Sequence, residues 1–484
     1  ANNFSVALAK AVRERCQDEV KGKVLDLGCG PGRMGMELAK MTDYGLTLHC
    51  ADMNSKAFQL TTQFLRGGKL RWVEIQEGEL TEHRDLNIED LGVDAKRFAA
   101  CVEWHQFPDP AAIDQHKFKG YSLVVAAQPH ILKEMPNPVL FLQNIHQHIE
   151  EGGMLVLGST LDTKLGEGLL DGKTIQDLLA ADFEHVASDD VPYAMQETKR
   201  KFGYGIQELS FWRRRAGVER SVQAKKAAAS QHEIKTIGKL VESVGNQGYE
   251  DETVLKQYLD FHFGEGHFDE GNYPTRCAKL CMDVVEKLGI AKNDALELGG
   301  GPGRAAMELS RHFKHVEGSD FSSLFVNTGN KLLADGALRW GEGSTTSLES
   351  LGIKGDNVRL RKLNAMELPQ GEEYDMICAF NLVDRLPKPR SFLDECTAKL
   401  RKGGLLAVSS PYTWLETFTP KEHWIGAYKY GDNDAPDTLS ALREELTARG
   451  FEEAAPAQDV PFVIPESPRL FQRTVAQISF WQKK

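Results

Sequence analysis

A glycine-rich turn after a short apolar run constrains the fold of this chain more than any other feature. It lies at residues 296–304, with the sequence LELGGGPGR, and residues 305–309 continue with helical character. Glycines permit positive φ angles and a close approach of the backbone to a ligand. Free amides at a helix N-terminus suit a carboxylate or a phosphate. The stretch therefore predicts a strand, a tight turn and a helix start that together cradle a ligand.

An acidic residue follows a second apolar stretch, where the next strand should end. Asp320 is placed there to accept hydrogen bonds from two ribose hydroxyls. The pattern is E/D-x-G-x-G-x-G, which differs from the dinucleotide-binding pattern G-x-G-x-x-G. It resembles motif I of the class I S-adenosylmethionine (SAM) methyltransferases, with Asp320 as the acidic residue of motif II. This resemblance implies SAM as the cofactor and S-adenosylhomocysteine as the product.

The same glycine turn occurs earlier in the chain, at residues 24–33. Gly28 corresponds there to Gly299, 271 positions later. Towards the end of each copy, residues 191–212 match residues 460–481 at a constant offset of 269 positions. Chance similarity would not hold its register over such a length, so the sequence favours tandem duplication of a whole domain.

The duplication predicts two domains, at residues 1–215 and 249–484, with a helical linker at 216–248. Apolar runs of strand length alternate with helical periodicity in both copies, which predicts an α/β fold. We expect two Rossmann-like domains with doubly wound, mostly parallel sheets and ligands at the carboxyl ends of the strands. We also expect the two domains to pack on each other.

Charge and cysteine usage narrow the class of partner. The formal net charge of −12 disfavours nucleic acid, because neutralising phosphates requires a basic face. The eight cysteines form no CxxC pairs and no ligand spacing for a metal is evident, so we expect reduced thiols and no metal. No apolar run reaches the length that spans a bilayer, and the first residues carry no signal-peptide pattern. We therefore expect a cytoplasmic protein with a small-molecule substrate and no membrane partner.

Four segments of the second copy carry a more specific resemblance. They are residues 257–262 (QYLDFH), 381–386 (NLVDRL), 410–414 (SPYTW) and 461–469 (PFVIPESPR). With them, residues 249–481 resemble the C-terminal methyltransferase domain of ovothiol-synthesis proteins, the 4-mercaptohistidine N1-methyltransferase family. Where that family has a fused iron-dependent sulfoxide synthase, this sequence carries a second methyltransferase-like domain. The resemblance implies methyl transfer from SAM to an imidazole nitrogen of a thiolated histidine.

The candidate cofactor-binding residues follow from the two motifs and from the positions at which family members contact adenine. They are Glu297, Gly299, Gly301, Gly303, Asp320, Phe321, Asn364, Ala365 and Asn381.

The protein does not need to activate the methyl donor, because a sulfonium is already a strong electrophile. Its main task is to align the reacting groups. Nucleophile, methyl and sulfur must be held in line, and water must be excluded. A neutral imidazole nitrogen either needs no base or needs a carboxylate to take the N–H proton. Asp384 is the first candidate for this contact and Glu416 is the alternative, while a structural cap or an ion pair with Arg385 would also explain Asp384.

Aromatic and basic side chains are candidates for the pocket walls. Tyr258, His262, Tyr412 and Trp414 could stack on the ring or the sulfonium, although core packing explains such aromatic residues equally well. Arg469 or Arg473 could hold the carboxylate of an amino-acid substrate, or form a surface salt bridge. The catalytic candidates are Asp384, Tyr258, Tyr412 and Glu416, and the substrate-binding candidates are His262, Asn381, Trp414 and Arg469.

The first copy keeps the cofactor motif but not the acceptor side. Its retained positions are Asp26, Gly28, Gly30, Gly32 and Asp52. It has no counterpart of residues 249–274 or of residues 410–420, and carries residues 128–130 (QPH) in place of 381–383 (NLV). We interpret it as a diverged, non-catalytic partner of a catalytic second copy. Two other functions stay open: sensing of SAM or S-adenosylhomocysteine by both pockets, and methylation of another small amine or thiol.

Overall fold

The computed structural model describes most of the chain, and its contacts divide the described residues into two compact units. The described residues are 3–66, 69–160, 163–165, 168–217, 250–341, 343–430 and 433–484. The first unit comprises residues 3–72, 83–195 and 204–217, and the second comprises 73–82, 196–203 and 250–484. Segments 73–82 and 196–203 thus group with the second unit, whereas the predicted boundaries place them in the first domain. Residues 218–248 of the predicted linker lie outside the described residues.

Helices and strands alternate in the first unit. Its helices are α1 (Phe4–Arg15), α2 (Arg33–Met41), α3 (Ser55–Leu65), α4 (Ala95–Cys101), α5 (Ile131–Glu134), α6 (Pro138–Asn144) and α7 (Gly172–Leu179). The strands that begin in this unit, or run through it, are β1 (Gly22–Leu27), β2 (Leu46–Asp52), β3 (Leu70–Glu77), β4 (Leu80–Leu86), β5 (Val102–Gln106), β6 (Tyr121–Ala126), β7 (Ile149–Ser159), β8 (Thr163–Leu165), β9 (Gly168–Leu170), β10 (Phe183–Thr198) and β11 (Lys201–Arg214).

The sheet of the first unit is mostly parallel. Its strand order is β11-β7-β6-β1-β2-β5, and β10 pairs with β11. Strand β1 runs parallel to β2 and to β6, β2 runs parallel to β5, and β6 runs parallel to β7. Strand β11 is antiparallel to β7. The carboxyl ends of β1, β2 and β6 therefore meet at one edge of the sheet, where ligands of such folds bind.

The second unit repeats this alternation. Its helices are α8 (Glu252–Phe263), α9 (Tyr273–Leu288), α10 (Arg304–Leu309), α11 (Ser323–Asp335), α12 (Leu348–Leu351), α13 (Pro389–Lys399) and α14 (Thr438–Ala448). Its strands are β12 (Asp294–Leu298), β13 (His315–Asp320), β14 (Ala337–Trp340), β15 (Ser344–Ser347), β16 (Val358–Lys362), β17 (Tyr374–Phe380), β18 (Leu400–Ser410), β19 (Lys429–Tyr430), β20 (Asn433–Asp434), β21 (Phe451–Ser467) and β22 (Leu470–Lys483).

The sheet of the second unit has the strand order β16-β13-β12-β17-β18-β22, with β21 beside β22. Strands β16, β13, β12, β17 and β18 are parallel, and β22 is antiparallel to both β18 and β21. This is the order seen in the first unit, strand for strand. The predicted α/β class, with doubly wound and mostly parallel sheets, is confirmed.

Local sequence explains where the central elements begin and end. Strand β17 is apolar and buried over most of its length, as a parallel strand covered on both faces must be. Helix α9 begins where the Asn272 side chain accepts a hydrogen bond from the Thr275 amide at 3.1 Å, with Pro274 in its first turn. It ends at Gly289, whose φ of 62° suits glycine. Among the described residues, no helix has the length and apolar character needed to cross a membrane.

Candidate functional site

The glycine turn between β12 and α10 needs glycine for both conformation and space. Gly299, Gly301 and Gly303 have φ angles of 69°, 56° and 86°, a region in which side chains with a Cβ are strained. A Cβ on Gly299 would lie 2.8 Å from Cδ1 of Leu382, and one on Gly303 would lie 2.7 Å from Cδ2 of Leu360. The turn therefore requires glycine at these positions and exposes bare backbone at the carboxyl edge of the sheet, as the sequence predicts.

Glu297 fastens this turn to the following helix. Its Oε2 accepts a hydrogen bond from the Ala306 amide in the first turn of α10, at 2.8 Å. Burial raises the pKa of Glu297 to about 8, and the nearby charge of Asp320 acts in the same direction. The carboxyl group is thus mostly protonated at neutral pH. Glu297 also lines the cavity described below.

Asp320 is the last residue of strand β13; it accepts a hydrogen bond from the glycine turn and lines the cavity. Its Oδ2 accepts a hydrogen bond from the Gly301 amide at 2.9 Å, and its Oδ1 accepts one from the Ser322 amide at 2.8 Å. Burial raises the pKa of Asp320, while these backbone hydrogen bonds oppose the shift. A carboxylate has about four lone-pair sites, so about two stay available to hydroxyl groups of a ligand in the cavity.

We expect Asp320→Ala to weaken SAM binding about 30- to 1,000-fold, which corresponds to roughly 2–4 kcal/mol for two charge-assisted hydrogen bonds. Isothermal titration calorimetry of the full chain with SAM measures the effect. The exposed Asp335, at the end of α11, provides a matched control in Asp335→Ala. Unchanged affinity in a folded Asp320→Ala variant would remove Asp320 from the cofactor site.

A cavity of about 580 Å³ lies beside the turn in the second unit. This size is typical of sites for small organic ligands. Gly299, Gly300 and Gly301 form one wall. The aromatic side chains that line it are Tyr258, Phe261, Tyr273, Phe321, Phe325, Phe380, Phe418 and Phe462. The turn thus opens into an enclosure that is largely apolar.

The remaining predicted cofactor residues also line this cavity. Phe321 is 57% exposed, and Nζ of Lys362 lies 5.2 Å from the centre of its ring. Asn364 and Ala365 follow strand β16 and lie on the cavity wall. Asn381 follows β17, has a φ of 55°, and its Oδ1 accepts a hydrogen bond from the Tyr273 hydroxyl at 3.1 Å. The structure therefore brings the predicted cofactor residues to one edge of the sheet, with Gly303 capping α10 just behind the cavity wall.

Asp384 combines complete burial with one unsatisfied oxygen. Its Oδ2 accepts hydrogen bonds from the amide and the hydroxyl of Thr413, both at 3.1 Å, and from Nη1 of Arg385 at 2.9 Å. Its Oδ1 is buried and has no hydrogen-bond partner within the described part of the chain. The residue lines the cavity. The predicted ion pair with Arg385 is thus present, and the second oxygen stays available to a donor on a ligand.

Helix α8 also contributes to the wall of the cavity. Tyr258 and His262 are four residues apart, so they share one face of the helix, and both line the cavity. Burial and the charge of Arg304 lower the pKa of His262 to about 3, so its ring is neutral at pH 7. Its Nδ1 is buried without a hydrogen-bond partner among the described residues.

Three predicted residues of the 410–420 segment lie away from the cavity, which corrects their expected placement. Tyr412 is buried and its hydroxyl donates to Oε1 of Gln477 at 3.3 Å. Trp414 packs in the core, and its Nε1 donates to Oγ1 of Thr438 at 2.9 Å. Glu416 is exposed. Thr413, between the two aromatic residues, lines the cavity. Tyr412 has a φ of 56°, so the segment is irregular, and the contacts with Gln477 and Thr438 place both aromatic rings away from the cavity.

The two arginine candidates also lie away from the cavity. Arg469 is not among the described residues that line it. Arg473 forms an ion pair with Glu270 at 2.6 Å, which is the alternative that the sequence left open. Neither of the two predicted arginines is therefore among the described residues of the cavity wall.

Several residues that line the cavity were not predicted from the sequence. Tyr273 lies in the first turn of α9, and its hydroxyl also contacts Oγ of Ser409 at 2.7 Å. The Asn-Tyr-Pro sequence at 272–274 signals a helix start but not the direction of the tyrosine. Phe462 and Thr474 come from the β21–β22 hairpin. The alternation of inward and outward residues along these strands does not indicate that these two residues face the cavity.

The first unit contains a cradle with the same backbone geometry. Gly28, Gly30 and Gly32 have φ angles of 74°, 51° and 75°. Oδ2 of Asp52 accepts a hydrogen bond from the Gly30 amide at 2.8 Å, as Asp320 does for Gly301. Burial raises the pKa of Asp26 to about 8, as it does for Glu297.

Two protein-family models match the chain, and the matched ranges include the two glycine turns. The methyltransferase domain family matches residues 270–454, and the methyltransferase small domain family matches residues 5–90. No curated protein sequence matches the chain. The fold, the glycine turns and the acidic residues that end β2 and β13 thus define class I methyltransferase domains.

Solved structures of similar fold each cover about half of the chain. Magnesium protoporphyrin IX methyltransferase from Synechocystis, solved with bound SAM, shares 13% identity with a TM-score of 0.33 and covers 49% of this chain and 95% of its own. A SAM-dependent methyltransferase from Clostridium acetobutylicum shares 11% identity with a TM-score of 0.29 and covers 44% and 92%. A [4+2]-cyclase shares 16% identity with a TM-score of 0.33 and covers 49% and 94%. These values are too low to indicate a substrate.

The chain is a SAM-dependent methyltransferase, and SAM is its cofactor. The second cradle fits this cofactor, because Gly299 and Gly301 present bare backbone to the cavity and leave no room there for a Cβ beside Leu382 and His262. Asp320 would hold the ribose hydroxyls, and Asn364 and Ala365 would contact the adenine.

Proposed function

We propose that the second unit transfers a methyl group from SAM to an imidazole nitrogen of 5-thiohistidine (4-mercaptohistidine), a step of ovothiol biosynthesis. The observation that carries the proposal is the buried Oδ1 of Asp384, which has no partner among the described residues and belongs to an aromatic-lined cavity beside the cradle. An imidazole N–H is a donor that fits such an oxygen. The resemblance of residues 249–481 to the 4-mercaptohistidine N1-methyltransferase family supports the substrate.

Asp384 would orient the acceptor and control its proton. When bound, SAM supplies a methyl group whose transfer moves positive charge from its sulfur to the acceptor ring. Asp384 would accept the N–H of one ring nitrogen, so that the lone pair of the other points towards the methyl group. As the ring becomes positive, the same carboxylate stabilises it and can take the N–H proton. Arg385 and Thr413 hold the carboxylate in place through its other oxygen.

The aromatic wall would exclude water and favour a cation. Tyr258, Phe261 and Phe418 are among the aromatic residues that line the cavity. The face of an aromatic ring attracts a positive charge, by roughly 0.5–2 kcal/mol. Neutral His262 adds no positive charge to this wall. Such a wall would stabilise both the sulfonium before transfer and the methylated ring after it.

We further propose that the chain is a duplicated methyltransferase with domains at residues 1–215 and 249–484, and that only the second is catalytic. The constant offsets in sequence, the repeated strand order and the matched contacts of Asp52 and Asp320 support the duplication. Helix α8 lines the cavity and belongs to the stretch 249–274 that the first copy lacks, which supports catalysis in the second domain.

A transfer assay with methyl-labelled SAM tests the proposed substrate. The full chain is incubated with 5-thiohistidine, histidine or ergothioneine, and the label in each acceptor is measured. We expect label in 5-thiohistidine and none in histidine, which has the same ring without sulfur. Transfer only to another amine or thiol would refute the substrate, and SAM binding without transfer to any acceptor would favour a sensor.

A further inference from the structure

Two histidines and a glutamate converge on one face of the sheet in the first unit. His49 lies on β2, and Glu103 and His105 lie on the neighbouring parallel strand β5. The register pairs His49 with Glu103. Residues two apart on a strand share a face, so His105 joins the other two. Sequence spacing predicted no metal site because more than 50 positions separate the two strands, and only their pairing brings the side chains together.

The spacing of the three side chains fits a single metal ion. Nε2 of His49 and Nε2 of His105 each lie 3.6 Å from Oε2 of Glu103. The candidate ligand atoms all lie within 4.8 Å of one another. Tetrahedral zinc with bonds of about 2.0–2.1 Å places its ligand atoms roughly 3.4 Å apart. Shifts of a few tenths of an ångström in the two closer pairs, and a rotation of one ring, would therefore complete the geometry.

A buried nitrogen atom in the cluster lacks the partner that an ion would supply. Nε2 of His105 is buried and has no hydrogen-bond partner within the described part of the chain. Its 3.6 Å separation from Glu103 exceeds hydrogen-bonding distance. Leaving a buried polar atom unsatisfied typically costs about 1–3 kcal/mol. A cation between the three side chains would remove this cost.

A neighbouring tyrosine can set the tautomer of one ligand. The hydroxyl of Tyr121 lies 2.9 Å from Nδ1 of His49. When Nδ1–H donates to this hydroxyl, Nε2 carries the lone pair and faces Glu103. Metal-bound histidines usually have such a partner for their second ring nitrogen, which fixes the orientation of the ring.

The surroundings leave one position open to solvent. Phe118 packs edge-on against both imidazoles, with ring centres 6.3 Å from His49 and 5.0 Å from His105. The side chain of Glu103 is 61% exposed, so the cluster is accessible on that side. Two positive charges lie nearby: Lys23 over the ring of Tyr121 and Lys117 over the ring of Phe118. A bound ion must tolerate both, which requires strong ligands rather than a loose electrostatic site.

We propose that His49, Glu103 and His105 bind a zinc ion, with water in the fourth position. Two imidazole nitrogens and one carboxylate oxygen form a ligand set that suits zinc better than the oxygen-seeking ions magnesium and calcium. Three protein ligands and one open position are the arrangement of zinc sites that bind and activate a further ligand. This site uses neither glycine cradle and stands independently of the proposed methyl acceptor.

The test measures zinc binding by the full chain, purified without a histidine tag and treated with chelator. We expect one zinc ion per chain by atomic emission spectroscopy. We also expect the visible absorption of tetrahedral cobalt when Co²⁺ replaces zinc. In competition with a chromophoric chelator, Glu103→Gln and His105→Gln should weaken zinc binding by more than the roughly 100-fold typical of losing an outer partner. Tyr121→Phe should weaken it by about 10- to 100-fold.

The matched control is His116→Gln, which changes an exposed histidine of the same unit and should leave zinc affinity unchanged. Glu103 is largely exposed, so its variant reports on binding even where a substitution at His105 disturbs folding. Failure of the full chain to bind zinc at micromolar concentration would overturn the proposal. Equal zinc affinity in wild type and Glu103→Gln would also overturn it.

Discussion

Replacing Gly301 with arginine is expected to abolish methyl transfer, because the new side chain would occupy the second cofactor cradle. Gly301 has a φ of 56°, and a Cβ there would lie 3.1 Å from Nε2 of His262. The arginine therefore has to extend into the cavity that its glycine lines. Hydrogen bonds to charged groups are each worth about 1.5–3 kcal/mol, so losing two or more should lower SAM affinity at least about 100-fold. Calorimetry and single-turnover rates measure both effects.

Substitutions at two other glycines serve as controls. One tests the effect of backbone strain alone, and the other tests the effect of blocking the first cradle. Gly371 has a φ of 83° with nothing within 4 Å of a Cβ, so Gly371→Arg carries similar strain without blocking a site and should stay active. Gly30 of the first cradle has a φ of 51° and, like Gly371, has nothing within 4 Å of a Cβ. Gly30→Arg should leave single-turnover rates largely intact. If Gly30→Arg stops the reaction and Gly301→Arg spares it, catalysis belongs to the first domain.

Asp384→Asn is expected to lower kcat by about 100- to 10,000-fold, the range over which a positioned acid or base contributes. The amide has nearly the same shape, but it replaces one carboxylate oxygen with an NH₂ group that donates. It can either keep the contact with Thr413 or accept from the substrate, and it cannot take a proton. Because Asp384 lies on the acceptor side, SAM affinity should stay close to that of wild type.

Glu416→Gln is the matched control, since Glu416 is the other carboxylate candidate and is exposed. It should keep the wild-type rate. SAM affinity also checks the fold of Asp384→Asn, in which Arg385 loses a charged partner. A wild-type rate in Asp384→Asn would show that the reaction needs no base, and a loss confined to Glu416→Gln would transfer the role to that residue.

The parts of the site that sequence predicted well are those set by contiguous residues. The turn at 299–303 lies between an apolar strand and a helix, so its conformation follows from local glycine content. Asp320 is the last residue of strand β13, Asp384 lies four residues beyond the end of β17, and parallel strands end at one edge. Their meeting at one cavity follows from topology alone.

Side-chain direction within an irregular segment could not be predicted in this way. The aromatic residues at 412 and 414 drew attention because of their chemistry, yet Thr413 between them faces the cavity. Core packing of Trp414 against Trp424, with ring centres 6.0 Å apart, decides this orientation. The proposed zinc-binding cluster could not be predicted from the sequence for a related reason. It depends on the pairing register of β2 and β5, which cannot be deduced from the spacing of residues along the chain.

The wall of the cavity in the second unit couples ligand binding to the stability of the fold. Tyr258 comes from the first described helix of that unit, whereas Phe462 and Thr474 come from its final hairpin, about 200 positions later. A ligand that needs both walls binds only when this hairpin is docked. Its binding free energy therefore adds to the stability of the docked hairpin, by RT ln(1 + [L]/Kd). Strand β22 contains no cofactor motif, yet we expect a ligand that fills this cavity to protect its amides from hydrogen exchange.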